Sequence, residues 1–303
     1  MSIHHRVLGG LYHPLRMAGP ARRWMGRASA NQLRVLLYHD VSPGEQPALA
    51  AQLQWLSRSW TFVSASRFAA MVTGSEPVLG RHLLVTFDDG FASNRVTAER
   101  VLNPMKIPAL FFVVPEFVSL TDRRDARAFI ARHIYPGAVP ERLPEHWTNM
   151  GWTDLAALTE QGHAIGGHTG THARLSEVRG AADLEREISA SADTIAERLG
   201  IAVDHFAYPF GDIGSFSAAA AAVARRRYRF VYSGLRGNNA SGVSPWAIRR
   251  ESAAGVNPVS CGYEIFSNHL LGAFLEGGAD YHYASARAQL DAWATAGATE
   301  GVI

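Results

Sequence analysis

Two carboxylates stand side by side directly after an apolar run of the chain. Residues 83–87 are followed by Asp88, Asp89 and Gly90. Carboxylates next to a buried strand are costly unless a cation meets them, and the glycine permits a sharp turn. The simpler interpretation is a helix N-cap with a solvated neighbour. The pair is therefore a candidate for metal binding or acid–base chemistry.

Two histidines follow a second apolar run, residues 164–167, and they are four positions apart. If the chain turned helical there, His168 and His172 would lie on one face, within reach of one ion. With 13 histidines in 303 residues, chance pairs are common, but the neighbouring glycines and the position after a strand strengthen the signal. With Asp89 the pair predicts a two-histidine, one-carboxylate metal site that leaves positions open for water and substrate. Asp88 would then be free to act as a general base.

A third stretch, residues 206–212, contains Tyr208, Pro209 and Phe210 before a glycine. Proline and glycine restrict the backbone there, so an amide of this stretch could face a developing oxyanion. An ordinary turn with a core aromatic explains the same residues equally well.

The elements that must position these side chains alternate between strands and helices. Such an order predicts an α/β protein with a parallel sheet, open or closed into a barrel. The carboxyl ends of its strands would carry the functional groups. The predicted strands are 33–38, 83–87, 109–114, 164–167, 205–208 and 229–232, and the predicted helices are 48–59, 94–102, 153–161, 181–199 and 217–226.

Taken together, the three stretches resemble the polysaccharide deacetylase family, also known as the NodB-homology domain or family-4 carbohydrate esterases, over roughly residues 35–250. Residues 86–90 (TFDDG) and 168–172 (HTGTH) match that family's first two signatures, and residues 208–211 are similar to its third. The resemblance implies an irregular (β/α)7 barrel of the NodB type, with a seventh strand near residues 247–250.

The same resemblance assigns roles to residues. It implies that Asp88 is the catalytic base and that Asp89, His168 and His172 bind one divalent metal, usually Zn²⁺, with Co²⁺, Ni²⁺ or Mn²⁺ as alternatives. It places Tyr208, Pro209 and Phe210 beside the substrate, where the backbone N–H of Phe210 would help to hold the oxyanion.

The chain departs from the family pattern at several positions. Ala207 stands where the third signature usually has an arginine, and residues 230–234 lack the aspartate and tryptophan of the fourth. Because both charged partners are missing together, no buried charge is orphaned. This pattern resembles the subgroup that acts on exopolysaccharides such as poly-N-acetylglucosamine. Arg250 is a candidate for the replacement guanidinium at the substrate side of the site.

The usual late Leu-x-His motif, which carries the general acid, is also missing. His39, which closes the first predicted strand, is our candidate for that acid, by resemblance to the same subgroup. The alternative is a packed histidine bonded to a neighbouring loop. His163 fits a structural role better, because it precedes a predicted strand.

Composition limits the classes of protein that need to be considered. The chain has 47% hydrophobic and 18% charged residues and a net charge of +2, which favours a globular protein without a nucleic-acid partner. Its single cysteine, Cys261, excludes an internal disulfide framework and multi-cysteine metal clusters. No signal peptide and no apolar run long enough to span a bilayer can be recognised.

We divide the chain into three segments. Residues 1–30 form a basic leader, either flexible or in peripheral contact with an anionic membrane surface. Residues 31–260 form the catalytic domain, within which 116–150 is a lid-like or a neutral surface insertion. Residues 261–303 form a C-terminal extension without a predicted role.

These observations predict a metal-dependent hydrolase that removes N-acetyl groups from N-acetylated sugars of a glycan or a lipid-linked glycolipid. The alternatives are hydrolysis of another amide, such as a formamide on a lipid-linked sugar or a non-sugar C–N bond, and a non-catalytic carbohydrate-binding relic. A cytoplasmic location is expected, either free or peripheral at the inner membrane face.

Overall fold

The apolar runs of the sequence form one parallel sheet in the computed structural model, which describes residues 12–17, 30–240, 242–256 and 262–296. The sheet has the order β7-β6-β5-β4-β3-β1-β8, and β2 pairs with the start of β3. Every pairing in it is parallel. The strands are β1 (Gln32–Tyr38), β2 (Thr61–Phe62), β3 (Arg81–Phe87), β4 (Ala109–Val113), β5 (Ala164–Gly167), β6 (His205–Ala207), β7 (Phe230–Tyr232) and β8 (Glu251–Ser252).

Helices cover the outer face of this sheet and pack at its ends. They are α1 (Tyr12–Met17), α2 (Gln46–Leu56), α3 (Ala65–Val72), α4 (Ala92–Thr97), α5 (Pro115–Val118), α6 (Arg123–Phe129), α7 (Trp152–Glu160), α8 (Ala181–Leu199), α9 (Ala218–Arg227), α10 (Asn268–Leu275) and α11 (Ala284–Thr295). Helices α4 and α6 each continue into one π-helical turn, Ala98–Leu102 and Ile130–Ile134. The bounds of α8 are those predicted, and Gly200 ends it in the left-handed conformation at φ +66°.

The sheet curls into an irregular barrel because one segment joins its two edges. Ile248 forms a bridge to Tyr232 of β7, and a few residues later β8 pairs with β1. The prediction of a seventh strand near residues 247–250 is therefore confirmed by the bridge at Ile248, and the regular pairing begins at Glu251. A pairing of two residues is too short to show a hydrophobic period.

Side chains alternate between the two faces of the strands, as a period of two requires. Along β4, Phe111 belongs to the cluster beneath the outer helices, whereas Leu110 and Phe112 belong to the inner cluster. Phe68 of α3 packs into this inner cluster, where its ring lies 6.0 Å from that of Tyr232. The barrel interior is thus filled by apolar side chains, and the chemistry is confined to the strand ends.

The described part of the C-terminal extension is built onto the barrel. An antiparallel hairpin of β9 (Ala254–Val256) and β10 (Tyr263–Ile265) leads into α10 and α11. Arg34 on β1 is buried between Glu251 and Asp280, and its Nη2 lies 3.1 Å from Asp280 Oδ2. Arg81 at the start of β3 pairs with Glu276 at 2.7 Å. Residues 262–296 therefore pack together with the catalytic barrel.

The predicted leader, residues 1–30, falls largely outside the described residues, as does Cys261. Within it, the ring of Tyr12 on α1 is buried and packs 5.6 Å from the ring of Trp55. None of the helices in the described ranges has the length and apolar character needed to cross a membrane.

Candidate active site

The ends of β3 and β5, which lie on either side of β4 in the sheet, bring three buried ligand-type side chains together. Asp89 follows β3, while His168 and His172 follow β5. Asp89 Oδ1 lies 3.5 Å from His168 Nε2 and 3.2 Å from His172 Nε2. One ligand atom from each of the three lies within 4.8 Å of the others. The predicted triad is thus assembled as a cluster that could hold a metal ion.

Backbone carbonyls fix the orientation of both imidazole rings. His168 Nδ1 lies 2.8 Å from the carbonyl oxygen of Ala207, and His172 Nδ1 lies 2.8 Å from that of His133. Because a carbonyl oxygen only accepts hydrogen bonds, each Nδ1 carries the proton and donates it. The unprotonated Nε2 atoms then face Asp89, which is the arrangement typical of metal-binding histidines.

The Asp89 carboxylate fits a cation in the middle of this cluster. Within the described ranges, neither of its buried oxygen atoms has a hydrogen-bond partner. Burial disfavours its charge, whereas hydrogen bonds and positive charge in front of it, such as those of protonated rings at His168 and His172, lower the pKa of the carboxyl. A buried, ionised carboxylate without donors is costly unless a cation meets it. The donor set of two nitrogens and a carboxylate suits a divalent metal.

The two histidines are not on a helix, so the predicted helical face is wrong. The chain after β5 is a loop in which Thr169 and His172 have φ values of +62°. The His168 N–H donates to Val113 O at 3.0 Å, and the Gly170 N–H donates to Glu187 O at 2.9 Å. Hydrogen bonds to β4 and α8, rather than a helical repeat, hold the histidines in place.

Left-handed backbone is concentrated in the site. Among the described residues, five that are not glycine have a positive φ, and four of them are Asp89, Thr169, His172 and Phe210. Asp89 and Phe210 each occupy the centre of a tight turn, closed by N–H···O bonds of 3.0 Å (Gly90 to Asp88) and 2.7 Å (Gly211 to Pro209). Such conformations cost about 1–2 kcal/mol per residue. They persist where the surrounding structure over-determines them, and they often mark functional sites.

Asp88 is paired with a buried guanidinium. Arg250 Nη1 lies 2.7 Å from Asp88 Oδ1, and Arg250 Nε donates to Ser233 O at 2.9 Å. Both charged side chains are almost fully buried. The structure therefore brings Arg250, which the sequence offered as a replacement guanidinium, to Asp88. Position 207, where the family usually has arginine, is a buried alanine.

The third stretch contributes its backbone at Phe210 rather than its tyrosine. In the described part of the chain, the Phe210 N–H donates no hydrogen bond to another protein group. The Phe210 ring is 39% exposed and lies 4.8 Å from the ring of His172. Tyr208, in contrast, is buried and stacks on Phe216 at 3.9 Å, so its ring belongs to the core, and Pro209 supplies the acceptor of the turn.

His39 lies at the same barrel rim as the metal cluster. Burial lowers the pKa of His39, and the negative charges of Asp89 and Asp88 oppose that shift. Its ring stacks on Tyr263 of β10 with centroids 4.7 Å apart. Tyr135 from the 116–150 insertion hydrogen-bonds to the hydroxyl of Tyr263.

The insertion forms a wall of the site, to which it contributes the His133 carbonyl and Tyr135. It also supplies His146 and Trp147, which donate to the buried carboxylate of Asp40 at 2.8 and 2.9 Å. Sequence reasoning missed Asp40, Tyr135 and Tyr263, because no local motif connects them with the ligands. That the insertion opens and closes as a lid stays a prediction.

A buried carboxylate beside a cluster that could hold a metal ion, at the rim of a parallel barrel, matches the class of deacetylase that the sequence motifs predict. The sequence profile of the polysaccharide deacetylase family matches residues 75–228. The chain belongs to this family, whose members are N-deacetylating hydrolases.

Solved structures share the fold at low sequence identity. IcaB from Ammonifex degensii has a TM-score of 0.57 and 22% identity, covering 88% of this chain and 98% of that one. The deacetylase domain of BpsB from Bordetella bronchiseptica has a TM-score of 0.57 and 18% identity, covering 74% and 96%. A polysaccharide deacetylase from Bacillus cereus has a TM-score of 0.59 and 17% identity, covering 80% and 69%. No curated protein matches the chain by sequence.

Proposed function

We propose that this enzyme removes N-acetyl groups from N-acetylated sugars of a glycan or glycolipid. The observation that carries the proposal is the buried, donor-free carboxylate of Asp89 facing two imidazole Nε2 atoms, with Asp88 as its neighbour in the chain. The substrate class is supported by the family and by the solved neighbours from Bordetella bronchiseptica and Bacillus cereus, which are described as deacetylases.

Asp89, His168 and His172 are the residues that would hold the metal. When bound there, a divalent cation supplies a Lewis acid that polarises the acetamide carbonyl and lowers the pKa of water. We propose Zn²⁺ as the native metal, because imidazole nitrogen and carboxylate oxygen are its usual protein ligands. Co²⁺, Ni²⁺ and Mn²⁺ accept the same donor atoms.

Asp88 acts as the general base that takes a proton from the attacking water. Its Oδ1 lies 2.7 Å from Nη1 of Arg250. The guanidinium fixes the carboxylate in one orientation, because Arg250 is held in turn by the carbonyl of Ser233. Arg250 thus has the role of orienting the base.

The backbone N–H of Phe210 donates to the oxyanion that develops on the acetamide oxygen. A preorganised donor of this kind costs no reorganisation when charge develops. The tight turn from Pro209 to Gly211 sets its direction, and the ring of the same phenylalanine lies 4.8 Å from the ring of His172, a proposed metal ligand.

His39 protonates the leaving nitrogen as the C–N bond breaks. The water oxygen ends on the acetyl carbon, so the products are acetate and a free amino sugar. His39 follows β1, whose last residue, Tyr38, accepts a hydrogen bond from the Asp88 N–H at 2.9 Å. The proposed acid and base are thus on adjacent strand ends.

The test is acetate release from N-acetylglucosamine oligomers by the zinc-loaded enzyme. Asp88→Asn should lower kcat by about 10²–10⁴-fold, the usual contribution of a general base, and should retain one metal per chain. Asp125→Asn is the matched control, because Asp125 is exposed on α6, and it should behave as wild type.

Each other outcome has a definite meaning. Full activity of Asp88→Asn would show that another group is the base. If the wild-type enzyme carries one metal per chain but releases no acetate, its substrate is a different amide. Inactive enzyme that binds no metal would contradict the assignment of the triad.

A further inference from the structure

The ring of His39 rests on an aromatic face supplied from the far end of the chain. Tyr263 on β10 stacks on His39 with ring centroids 4.7 Å apart and an interplanar angle of 7°. The two rings are therefore nearly parallel and in contact, in one of the preferred arrangements of planar side chains. An imidazole held in this way loses much of its freedom to change rotamer.

Several independent contacts hold Tyr263 in place. Its hydroxyl bonds to that of Tyr135, and its ring lies 6.1 Å from that of Trp147. On the same hairpin, the Ile265 N–H donates to Glu45 Oε2 at 2.9 Å. Because these contacts come from the insertion and from α2 as well as the hairpin, the Tyr263 ring is a rigid support.

A second connection ties this support to the strand that carries His39. Gln52 on α2 donates to the carbonyl of Phe266 at 2.7 Å, and its Oε1 accepts a hydrogen bond from the hydroxyl of Tyr38. Tyr38 directly precedes His39. The backbone next to His39 and the segment that follows Tyr263 are thus coupled through the side chains of Tyr38 and Gln52.

Tyr263 is not suited to transfer the proton itself. Burial raises the pKa of its phenol, and its hydroxyl is already engaged with Tyr135. The contact with His39 is made by the ring face rather than by the hydroxyl. Any contribution to the reaction therefore passes through His39.

We propose that Tyr263 is a positioning residue that holds the imidazole of His39 in the orientation from which it protonates the leaving nitrogen. This inference rests on the proposed role of His39. The hairpin of β9 and β10 would then contribute to the reaction, because it carries the residue that holds the proposed general acid in place. Misplacement of a catalytic group by about 1 Å can cost about 10²-fold in rate, so loss of the support should lower kcat by about 10–100-fold and leave KM nearly unchanged.

The experiment compares two substrates that differ in their need for an acid. An N-acetylglucosamine oligomer has an amine leaving group that must be protonated, whereas 4-nitrophenyl acetate releases a phenolate that needs no proton. Tyr263→Leu and His39→Ala should both lose the amide reaction and keep the ester reaction. Tyr263→Phe retains the ring face and should keep most of the amide activity. Tyr135→Phe removes the same hydroxyl bond from the other side and should match Tyr263→Phe.

The ratio of amide to ester activity separates the possible results. Equal loss of both activities in Tyr263→Leu, with lower zinc content, would mean that Tyr263 only supports the fold. Wild-type amide activity in Tyr263→Leu would also overturn the positioning role. If His39→Ala itself shows no selective loss of the amide reaction, the assignment of His39 fails and the positioning role fails with it. Selective loss in His39→Ala alone would overturn only the proposal for Tyr263.

Discussion

Histidines occur at both ends of the barrel, and their hydrogen bonds differ. At the carboxyl ends of the strands, His168 and His172 each use Nδ1 to bond a backbone carbonyl, which leaves Nε2 facing Asp89. At the amino ends, His163 accepts the Ala109 N–H at Nδ1 and contacts Asn103 Oδ1 through Nε2. His163 thus has the opposite tautomer, and both of its nitrogens are satisfied by the protein.

Left-handed backbone is also more frequent at the carboxyl end of the barrel than at the amino end. Four left-handed residues surround the metal cluster, whereas Lys106, the fifth described non-glycine residue with a positive φ, lies just before β4 at the amino end. Asp89, at the carboxyl end, has no donor for its buried oxygens in the described ranges. Asp89 combines two buried oxygens that have no donor among the described residues with a left-handed backbone, which marks the carboxyl end as functional.

The largest expected effect is the difference in activity between removing a histidine at the carboxyl end of the barrel and removing one at the amino end. His168→Ala removes a proposed metal ligand and with it several kcal/mol of transition-state stabilisation, so kcat/KM should fall by about a thousandfold or more. His163→Ala should instead lower the free energy of unfolding by about 1–3 kcal/mol, since it leaves buried partners unpaired. Its kcat/KM per folded molecule should stay unchanged. Steady-state kinetics, metal analysis and urea unfolding provide the measurements, and a similar activity loss in both variants would contradict the distinction.

The second effect concerns the buried ion pair at the functional end. Arg250→Met leaves the Asp88 charge buried without its partner, which should destabilise the protein by about 3–5 kcal/mol. The double variant Asp88→Asn/Arg250→Met should recover much of that loss, because no charge is then left alone. Denaturant unfolding of the four proteins measures the coupling, and simple additivity would show that the pair is not coupled.

Arg34→Met is the matched control for that cycle. Arg34 is also buried and ion-paired, with Glu251 and Asp280, so its loss should lower stability by a similar amount. Because these partners are not proposed to take part in the reaction, activity per folded molecule should remain that of wild type. The contrast with Arg250→Met then separates loss of stability from loss of the group that orients the base.

The metal half of the site could be predicted from sequence because its ligands lie within a few residues of well-formed strands. Asp89 follows β3 and His168 follows β5, and parallel strands of one sheet, here separated by β4 alone, place their carboxyl ends at one rim. The loop that carries His172 could not be predicted, since a positive φ at threonine or histidine has no sequence signal. The spacing of four between His168 and His172 fitted one face of a helix, whereas hydrogen bonds to β4 and α8 decide the conformation.

The acid half of the site depends on contacts between distant parts of the chain. The stack of His39 on Tyr263 and the bond from Tyr135 to Tyr263 join the first strand, the insertion and the C-terminal hairpin. No periodicity links such positions, because the contacts depend on how the barrel closes. The two-residue strand β2 escaped prediction for a related reason, since so few residues show no hydrophobic period.

The third effect is a pH dependence that arises at the amino end of the barrel. Burial lowers the pKa of His205 to about 4, and its Nδ1 lies 3.0 Å from the hydroxyl of Tyr232. An unfolded histidine titrates near 6.5, so the unfolded chain binds more protons between pH 6.5 and 4. The contribution of buried, neutral His205 to the free energy of unfolding should be fully present above pH 6.5. It should be lost as the pH falls towards 4, and the total loss should be about 3 kcal/mol.

His205→Phe tests this dependence while retaining the stack on Phe230, whose ring lies 5.0 Å from that of His205. The variant should lose stability less steeply than wild type between pH 6.5 and 4 in urea unfolding. Burial and the charge of Arg95 lower the pKa of His163 to about 4. His163 should therefore still contribute to the pH dependence of stability in this variant. If the free energy of unfolding of His205→Phe fell with pH as steeply as that of wild type, the buried ring of His205 would not be the titrating group.

The smallest effect distinguishes strain that serves the site from strain that does not. Lys106 is exposed and adopts φ +56°, where glycine avoids the steric cost. Lys106→Gly should therefore raise the free energy of unfolding by about 0.5–1 kcal/mol, after the greater entropy of unfolded glycine is subtracted, without changing kcat/KM. Thr169→Gly relieves a similar conformation at φ +62° but removes the hydroxyl that accepts the Ala173 N–H at 3.1 Å. Because that bond holds the loop between His168 and His172, Thr169→Gly should lower kcat/KM. If both glycine variants raised stability and left kcat/KM unchanged, the left-handed backbone at Thr169 would have no role in the site.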